Sequence, residues 1–404
     1  MARVMRVDAQ RWSLLVALPA LAGIGAVAGW RSLPVGLHDW DGTVRAAEAS
    51  VRWAGPAAAA LAAWTGVRGR RLDYLRSLAA RSPAAAPLHD LALLLVVALA
   101  AHLCGWALVA GRLLGDGGFG AAQAAAVAAG AGATGLLVVA GYLVGRIWPR
   151  AAAVPAVAAA AWAWCAFRPA PAWALLPPAR LGPVDPFEDL LVGVPAAQAG
   201  WAAGLALALV LAYTAWLTRR SRLLGPVGLA LGAVLGCTAW LEAAGGVVAE
   251  PAQPSYVCRE WPVSVCVHPA LREALPTLGA AIAPLATRLA GTPGAIKRME
   301  QIPGGEPVRI GRGTVGFHLA DLSPGYERRV VRELGAALGG CRTGPGSAAS
   351  AGYQAQVVSW LLDEPMPVRP VTPFGHWAEG QRREWFARNY RFFRACELGR
   401  AHFM

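Results

Sequence analysis

The residues able to do chemistry in this chain are few and scattered. The run CVHP (Cys266–Pro269) offers a thiolate and an imidazole, but two ligands do not make a zinc site. With Cys258 nearby, a disulfide is the simpler use of that thiol. RELGA (Arg332–Ala336) falls in a helical stretch where a zinc hydrolase would carry HExxH; both histidine positions hold other residues, leaving Glu333 by itself. GEPVRIGRGTVG (Gly305–Gly316) has glycines without the strand–GxGxxG–helix setting of a dinucleotide site, and a hairpin turn accounts for it. No Walker A sequence occurs. The expectation is a protein that is not an enzyme, with no catalytic, cofactor-binding or metal-binding residues. Polar residues in the long apolar runs are few; His102 lies in the middle of the third run and Glu242 near the end of the seventh, and such groups are functional candidates by default. The plainer readings are a histidine satisfied by a neighbouring helix and a glutamate that reaches an interface.

The elements that carry these residues follow from composition. Of 404 residues, 56% are hydrophobic and 15% charged, against about a quarter charged in an ordinary soluble domain. That deficit points to a membrane protein in contact with the lipid bilayer. The net charge of +13 lies in loops and tail without an aromatic-interleaved basic stripe, so nucleic acid is not an expected partner.

Seven apolar segments are expected to cross: about 12–30, 51–67, 88–110, 120–145, 151–167, 196–217 and 224–247. The fourth is built from Ala and Gly, with Gly130, Gly132 and Gly135 close together, which suits the interior of a bundle. Thirteen arginines fall in the N-terminus and alternate loops, against six (Arg31, Arg45, Arg52, Arg112, Arg168, Arg180) in the others. This asymmetry places the N-terminus in the cytoplasm. An odd number of spans then puts everything after Val248 outside. The expected fold is an α-helical polytopic membrane protein, about seven transmembrane helices over 1–248, followed by a mostly helical α+β extracytoplasmic domain over 249–404.

Between the second and third spans, Gly66–Pro83 carries Arg68, Arg70, Arg71, Arg76 and Arg81. As a helix over 69–82 it puts Leu72, Leu75, Leu78 and Ala79 on one face, and Pro83 stops it. Such a helix serves either as a topology anchor on anionic lipid or as a docking helix for a cytoplasmic partner.

Four of the seven cysteines, Cys258, Cys266, Cys341 and Cys396, are confined to the tail, as an oxidising compartment would favour. YVCREWPVSVCV reads as a β-hairpin turning at Trp261-Pro262, which brings Cys258 opposite or near Cys266 and leaves Cys341 with Cys396. Behind it are expected a kinked helical stretch over 269–290, a short β region (307–310 and 313–319), a helix from Pro324 with Val331, Leu334 and Leu338 on one face, a helix over 353–362 and a last helix over 378–396 with Trp385, Tyr390 and Phe393 inward.

This arrangement resembles the ABC-2 type permeases of actinobacteria. In that family a short arginine-rich amphipathic segment between the second and third spans contacts a separately encoded ATPase; the matching residues here are Arg70, Arg71, Leu72, Tyr74, Leu75 and Leu78. The tail is similar to a domain of unknown function found behind such membrane regions, with VCVHPA (Val265–Ala270) near its start and a Trp-containing helix leading to a Cys, REWFARNYRFFRACEL (Arg383–Leu398). The chain departs from six-span permeases, which keep both ends inside. The resemblance implies a permease-like subunit of an ABC-type transport system that works with an ATPase partner, as a homo- or hetero-oligomer. The alternative is a membrane-anchored regulator or interaction protein whose external domain binds a ligand or partner.

Overall fold

In the computed structural model the described residues are 2–71, 83–113, 118–167, 174–178, 185–260, 263–311, 313–339 and 347–404, with the backbone alone described for 2–14, 71 and 347–349. They divide into two units. One contains the chain to Leu33, His38–Val184 and Glu188–Pro251; the other contains Pro34–Leu37, Asp185–Phe187 and Ala252–Met404.

The first unit is a bundle of α1 (Ala2–Ser32), α2 (Trp40–Arg71), α3 (Ala85–Ala110), α4 (Ala121–Ile147), α5 (Ala153–Ala166), α6 (Gly193–Thr218) and α7 (Leu224–Ala243). Among the described residues five helical stretches are long and apolar enough to cross a membrane: Leu15–Ser32, Ala85–Leu113, Ala121–Ile147, Gly193–Thr218 and Ser221–Ala243. The expected second and fifth spans are not among them. The second is the later half of α2, a 32-residue helix whose first turns are charged. The fifth is the 14-residue α5, about 21 Å long at 1.5 Å per residue. Pro155 stands in the first turn of α5 rather than in its body, where a missing N–H leaves no carbonyl unpaired.

Helix direction alternates. Asp41 at the head of α2 accepts from Gln123 Nε2 at the head of α4 (2.7 Å) and from the Leu190 amide just before α6 (3.2 Å). Leu190 lies on β1 (Glu188–Leu190), which pairs antiparallel with β2 (Ala249–Pro251), the strand reached after α7. The starts of α2, α4 and α6 and the end of α7 thus share one end of the bundle. The stretch between α4 and α6, which contains α5, must return the chain to that end.

The closest helix approach is between α2 and α4. A Cβ on Gly141 would fall on the Ala59 carbonyl, one on Gly145 on the Ala63 carbonyl, and one on Gly66 2.5 Å from the Tyr142 carbonyl. Small residues four apart let two backbones touch. The other glycines singled out in α4 do less: Gly132 faces Ala202 and Ala199 of α6, and Gly135 faces leucine side chains of α3.

In the second unit β3 (Val257–Arg259), β4 (Ser264–Val267), β5 (Arg298–Gln301), β6 (Ile310–Gly311) and β7 (Thr314–Phe317) form a sheet in the order β3-β4-β5-β7-β6. β4, β5 and β7 are parallel, and the outer strands antiparallel. Cys258 lies directly opposite Cys266 in the β3–β4 register, and the two are disulfide-bonded. Helices α8 (Leu275–Leu289) and α9 (Tyr326–Gly339) pack on the sheet, while α10 (Ser347–Leu362) packs on α8 and α9, and α11 (Glu379–Ala395) on α9.

Several expectations shift here. The kinked stretch after Pro269 is a 3-10 turn, Pro269–Ala274, that breaks at Leu271 before α8 begins. β5 was not expected at all, because Arg298, Glu300 and Gln301 make it read as polar; yet Met299 and Gln301 are buried. Val330, rather than Val331, leads the buried face of α9, and Phe386, rather than Tyr390, lies with Trp385 and Phe393 in the core. The unit also includes two short pieces from earlier in the chain. The Leu322 amide donates to the Val35 carbonyl (2.6 Å), the Gly304 amide to Asp185 (2.7 Å), and the Phe187 ring packs on Tyr256 and His268.

Gly141→Leu is expected to lose about 1–3 kcal/mol or more through overpacking against the Ala59 carbonyl, whereas Gly232→Leu in α7, with open space around it, should be neutral. The apparent melting temperature of the detergent-extracted protein checks both.

Candidate functional site

The head of α2 breaks the usual rule for charged side chains. All eight residues from Asp41 to Glu48 are buried, and they include Asp41, Thr43, Arg45 and Glu48, with the acidic and basic side chains 6–8% exposed. Ionisable groups are almost never buried to this extent unless they are paired. The sequence DGTVRAAE has good reason to start a helix: Asp39 precedes it, accepting from the Gly42 amide at 3.1 Å while the Asp39 carbonyl accepts from Thr43 Oγ1 at 2.9 Å. Arg112, in the 3-10 turn after α3, donates to Thr43 Oγ1 at 3.4 Å. Asp41 is shared between α4 and β1 as described above. Glu48 has the charge of Arg45 one turn before it, and its Oε2 has no hydrogen-bond partner among the described residues.

The cluster thus contains three carboxylates and two guanidinium groups contributed by α2, its preceding loop and the end of α3. Crowding by protein raises the Asp39 carboxyl to about 6; the Gly42 amide opposes that shift, Asp41 adds to it, and Arg45 and Arg112 oppose it. Trp40, Trp106 and Phe119 cluster at the same end, with centroids 5.1–6.5 Å apart, Trp40 stacked on Trp106 and Phe119 edge-on to Trp40. One and two turns further down α2, Arg52 lies over the Trp162 ring of α5, and Gly55 packs on Leu137 of α4.

His102 projects from α3 onto α4, where its ring lies 3.0 Å from where a Gly130 Cβ would be and hydrogen-bonds the Val127 backbone. Val51 of α2 borders the same glycine. Gly130 therefore makes room for a histidine rather than for a helix backbone. Glu242 is exposed near the end of α7 and takes no part in the buried cluster's hydrogen bonds described above. At the opposite end of the bundle Arg146 is buried and donates to Tyr213 OH of α6 at 3.0 Å, although in sequence it reads as a loop arginine.

Of the expected docking helix, Gly69–Arg71 belong to the unbroken end of α2, with Arg70 exposed. Leu72, Tyr74, Leu75 and Leu78 lie outside the described residues. So does Cys341; Cys396 is disulfide-bonded and lies 3.6 Å from the Gly339 carbonyl at the end of α9.

In the sequence Arg45 and Arg52 read as loop charges, which hides the head of α2. A signal was present: Glu48, Val51, Gly55 and Ala59 follow at steps of three and four, so the charged head continues the stripe that meets α4. No family model, curated protein or solved structure matches this chain.

Arg45→Ala should cost about 3–5 kcal/mol, because it strips a buried carboxylate of its nearest opposite charge, while Arg45→Ala combined with Glu48→Ala should recover part of the loss. Melting of the two variants in detergent is the measurement; equal loss in both would show that the two charges do not act on each other.

Proposed function

We propose that the chain is a multi-pass membrane protein acting as the permease-like subunit of an ABC-type transport system energised by a separately encoded ATPase. The observation that carries the transport reading is the buried ionisable head of α2. A bundle that only anchors a domain gains nothing from enclosing Asp41, Arg45 and Glu48, whose removal from water is costly. A bundle that passes a polar or charged solute needs such groups along its interior. His102, half-buried between α3 and α4, extends the same polar provision inward.

Seven crossings are proposed from the five long apolar helices together with α2 and α5. The alternation of helix directions supports an odd number, since the chain enters α1 at one end of the bundle and leaves α7 at the other. α2 can be partly polar because its neighbours enclose it. The arginine asymmetry orients the N-terminus inward, so the head of α2 and the C-terminal unit are proposed to face outward. A disulfide between Cys258 and Cys266 suits that placement. The regulator reading is favoured by a different feature, a pocket of about 500 Å³ in the C-terminal unit bordered by His318, Tyr326 and Glu333.

Two experiments test these proposals. A reporter enzyme active only outside the cytoplasm should work when fused after Met404 and stay silent when fused after Leu223; the reverse pattern would mean the span count is wrong by one. Leu72→Asp with Leu75→Asp should abolish co-purification with an ATPase while leaving membrane insertion intact, because the topogenic arginines remain. An unchanged pull-down, or the lack of any ATPase in the wild-type preparation, would replace the transport reading with the regulator one.

A further inference from the structure

Glu333, stranded in the sequence RELGA, has a partner in three dimensions. It lies on α9 and faces His318, the residue that follows β7. The His318 amide donates to Glu333 Oε2 at 3.0 Å, and Nδ1 lies 2.5 Å from Oε1. On the other side of the ring, Nε2 lies 2.8 Å from the backbone carbonyl of Glu306, in the loop between β5 and β6. Both ring nitrogens therefore face oxygens that accept. A neutral imidazole has one N–H to give, and an ionised carboxylate and a carbonyl have none. The arrangement is complete only when the pair holds one proton more than neutral histidine plus carboxylate.

The surrounding charges are engaged elsewhere. Asp321 accepts from the Ser323 amide and hydroxyl and from Arg329 at 3.3 Å; Arg332 on α9 pairs with Glu364 at 2.9 Å. On the β5–β6 loop, the Glu306 and Arg309 side chains are exposed. Among the described residues no third His, Cys, Asp or Glu joins the pair to hold a metal ion. His318 and Glu333 both line the pocket of about 500 Å³, together with Asp321, Ser323, Tyr326 and Arg329.

We propose that His318 and Glu333 form a proton-operated latch, which ties the Glu306 loop to α9 when protonated and releases that loop when the proton leaves. Burial works against the imidazolium, but the Glu333 hydrogen bond, the Glu306 carbonyl and the Glu333 charge together outweigh it and raise the His318 titration above its ordinary value. The sign follows: the latch contributes fully below the unfolded histidine's pKa and is lost as pH rises through the raised one. On release, neutral His318 keeps its single N–H on the Glu333 carboxylate, the stronger acceptor, and the contact to the Glu306 carbonyl is the one that fails.

The test is hydrogen exchange of the peptide spanning 302–311 in the full-length protein in detergent, from pH 5.5 to 8.5 and corrected for intrinsic rate. Wild type should lose about tenfold or more in protection across that range, while peptides from α8 and α11 stay constant. His318→Gln should show the low protection of high-pH wild type at every pH. Glu333→Gln gives the opposite outcome: its amide donates to Nδ1, neutral His318 donates through Nε2 to Glu306, and the loop stays protected at every pH. A flat wild-type profile, or a pH step that survives in Glu333→Gln, would overturn the proposal. Should His318→Gln fail to fold, the wild-type and Glu333→Gln profiles still decide it.

Discussion

The backbone contact between α2 and α4 is the constraint on which the helical unit depends. Gly141 and Gly145 bring α4 onto the carbonyls of Ala59 and Ala63, and Gly66 receives the Tyr142 carbonyl in return. A contact this close admits no side chain on either surface and fixes both the spacing and the register of the two helices. Everything else in the bundle is arranged around that pair: α1, α3, α5 and α6 pack outside it, and α7 packs on α6. α7 is correspondingly the most open of the apolar helices, with Leu229 and Leu235 exposed.

The same contact explains how α2 can be so polar. A helix enclosed by others does not have to match lipid along its length; it has to match its neighbours. Its head does so with charge and hydrogen bonds, through Asp41 to Gln123 and Leu190 and through Thr43 to Arg112. Its lower half does so with alanine and glycine. Desolvating Arg45 and Glu48 costs more than an apolar pair of the same volume, so the cluster is a stability debt that function would have to justify.

The C-terminal unit solves a different problem. Its sheet is parallel at the centre, where both faces need cover, and β5 lies between β4 and β7 although two of its four residues are charged. Gln301 makes this possible: it is buried, accepts from the His268 amide at 2.8 Å and donates to the Leu319 carbonyl at 2.7 Å, tying the strand to both neighbours. Leu319 follows His318, so the interaction that completes the core also sets where the His318–Glu333 pair sits. On the far side of the unit, Phe374, Trp385, Phe386 and Phe403 interlock with α10 through Trp360 and Tyr353.

What the sequence determined by itself is what depends on local periodicity and length. The apolar runs behind α1, α3, α4, α6 and α7 were legible because twenty apolar residues have few other uses, and the β3–β4 pairing was legible from the short spacing of Cys258 and Cys266, although the expected turn residues Trp261 and Pro262 lie outside the described residues. The α9 and α11 helices were legible from their spacing, to within one residue of the buried face. Only the tertiary structure decided which charges went inside. Arg45 and Arg146 read as loop residues, since nothing local distinguishes an arginine that faces water from one that faces a neighbouring helix. β5 was hidden for the same reason, its buried Gln301 being satisfied by partners more than fifteen positions away in the chain. The His318–Glu333 pair joins a strand end to a helix whose sequence suggested a vacant motif. Burial and pairing are properties of the surroundings a residue acquires on folding, and spacing along the chain does not encode them.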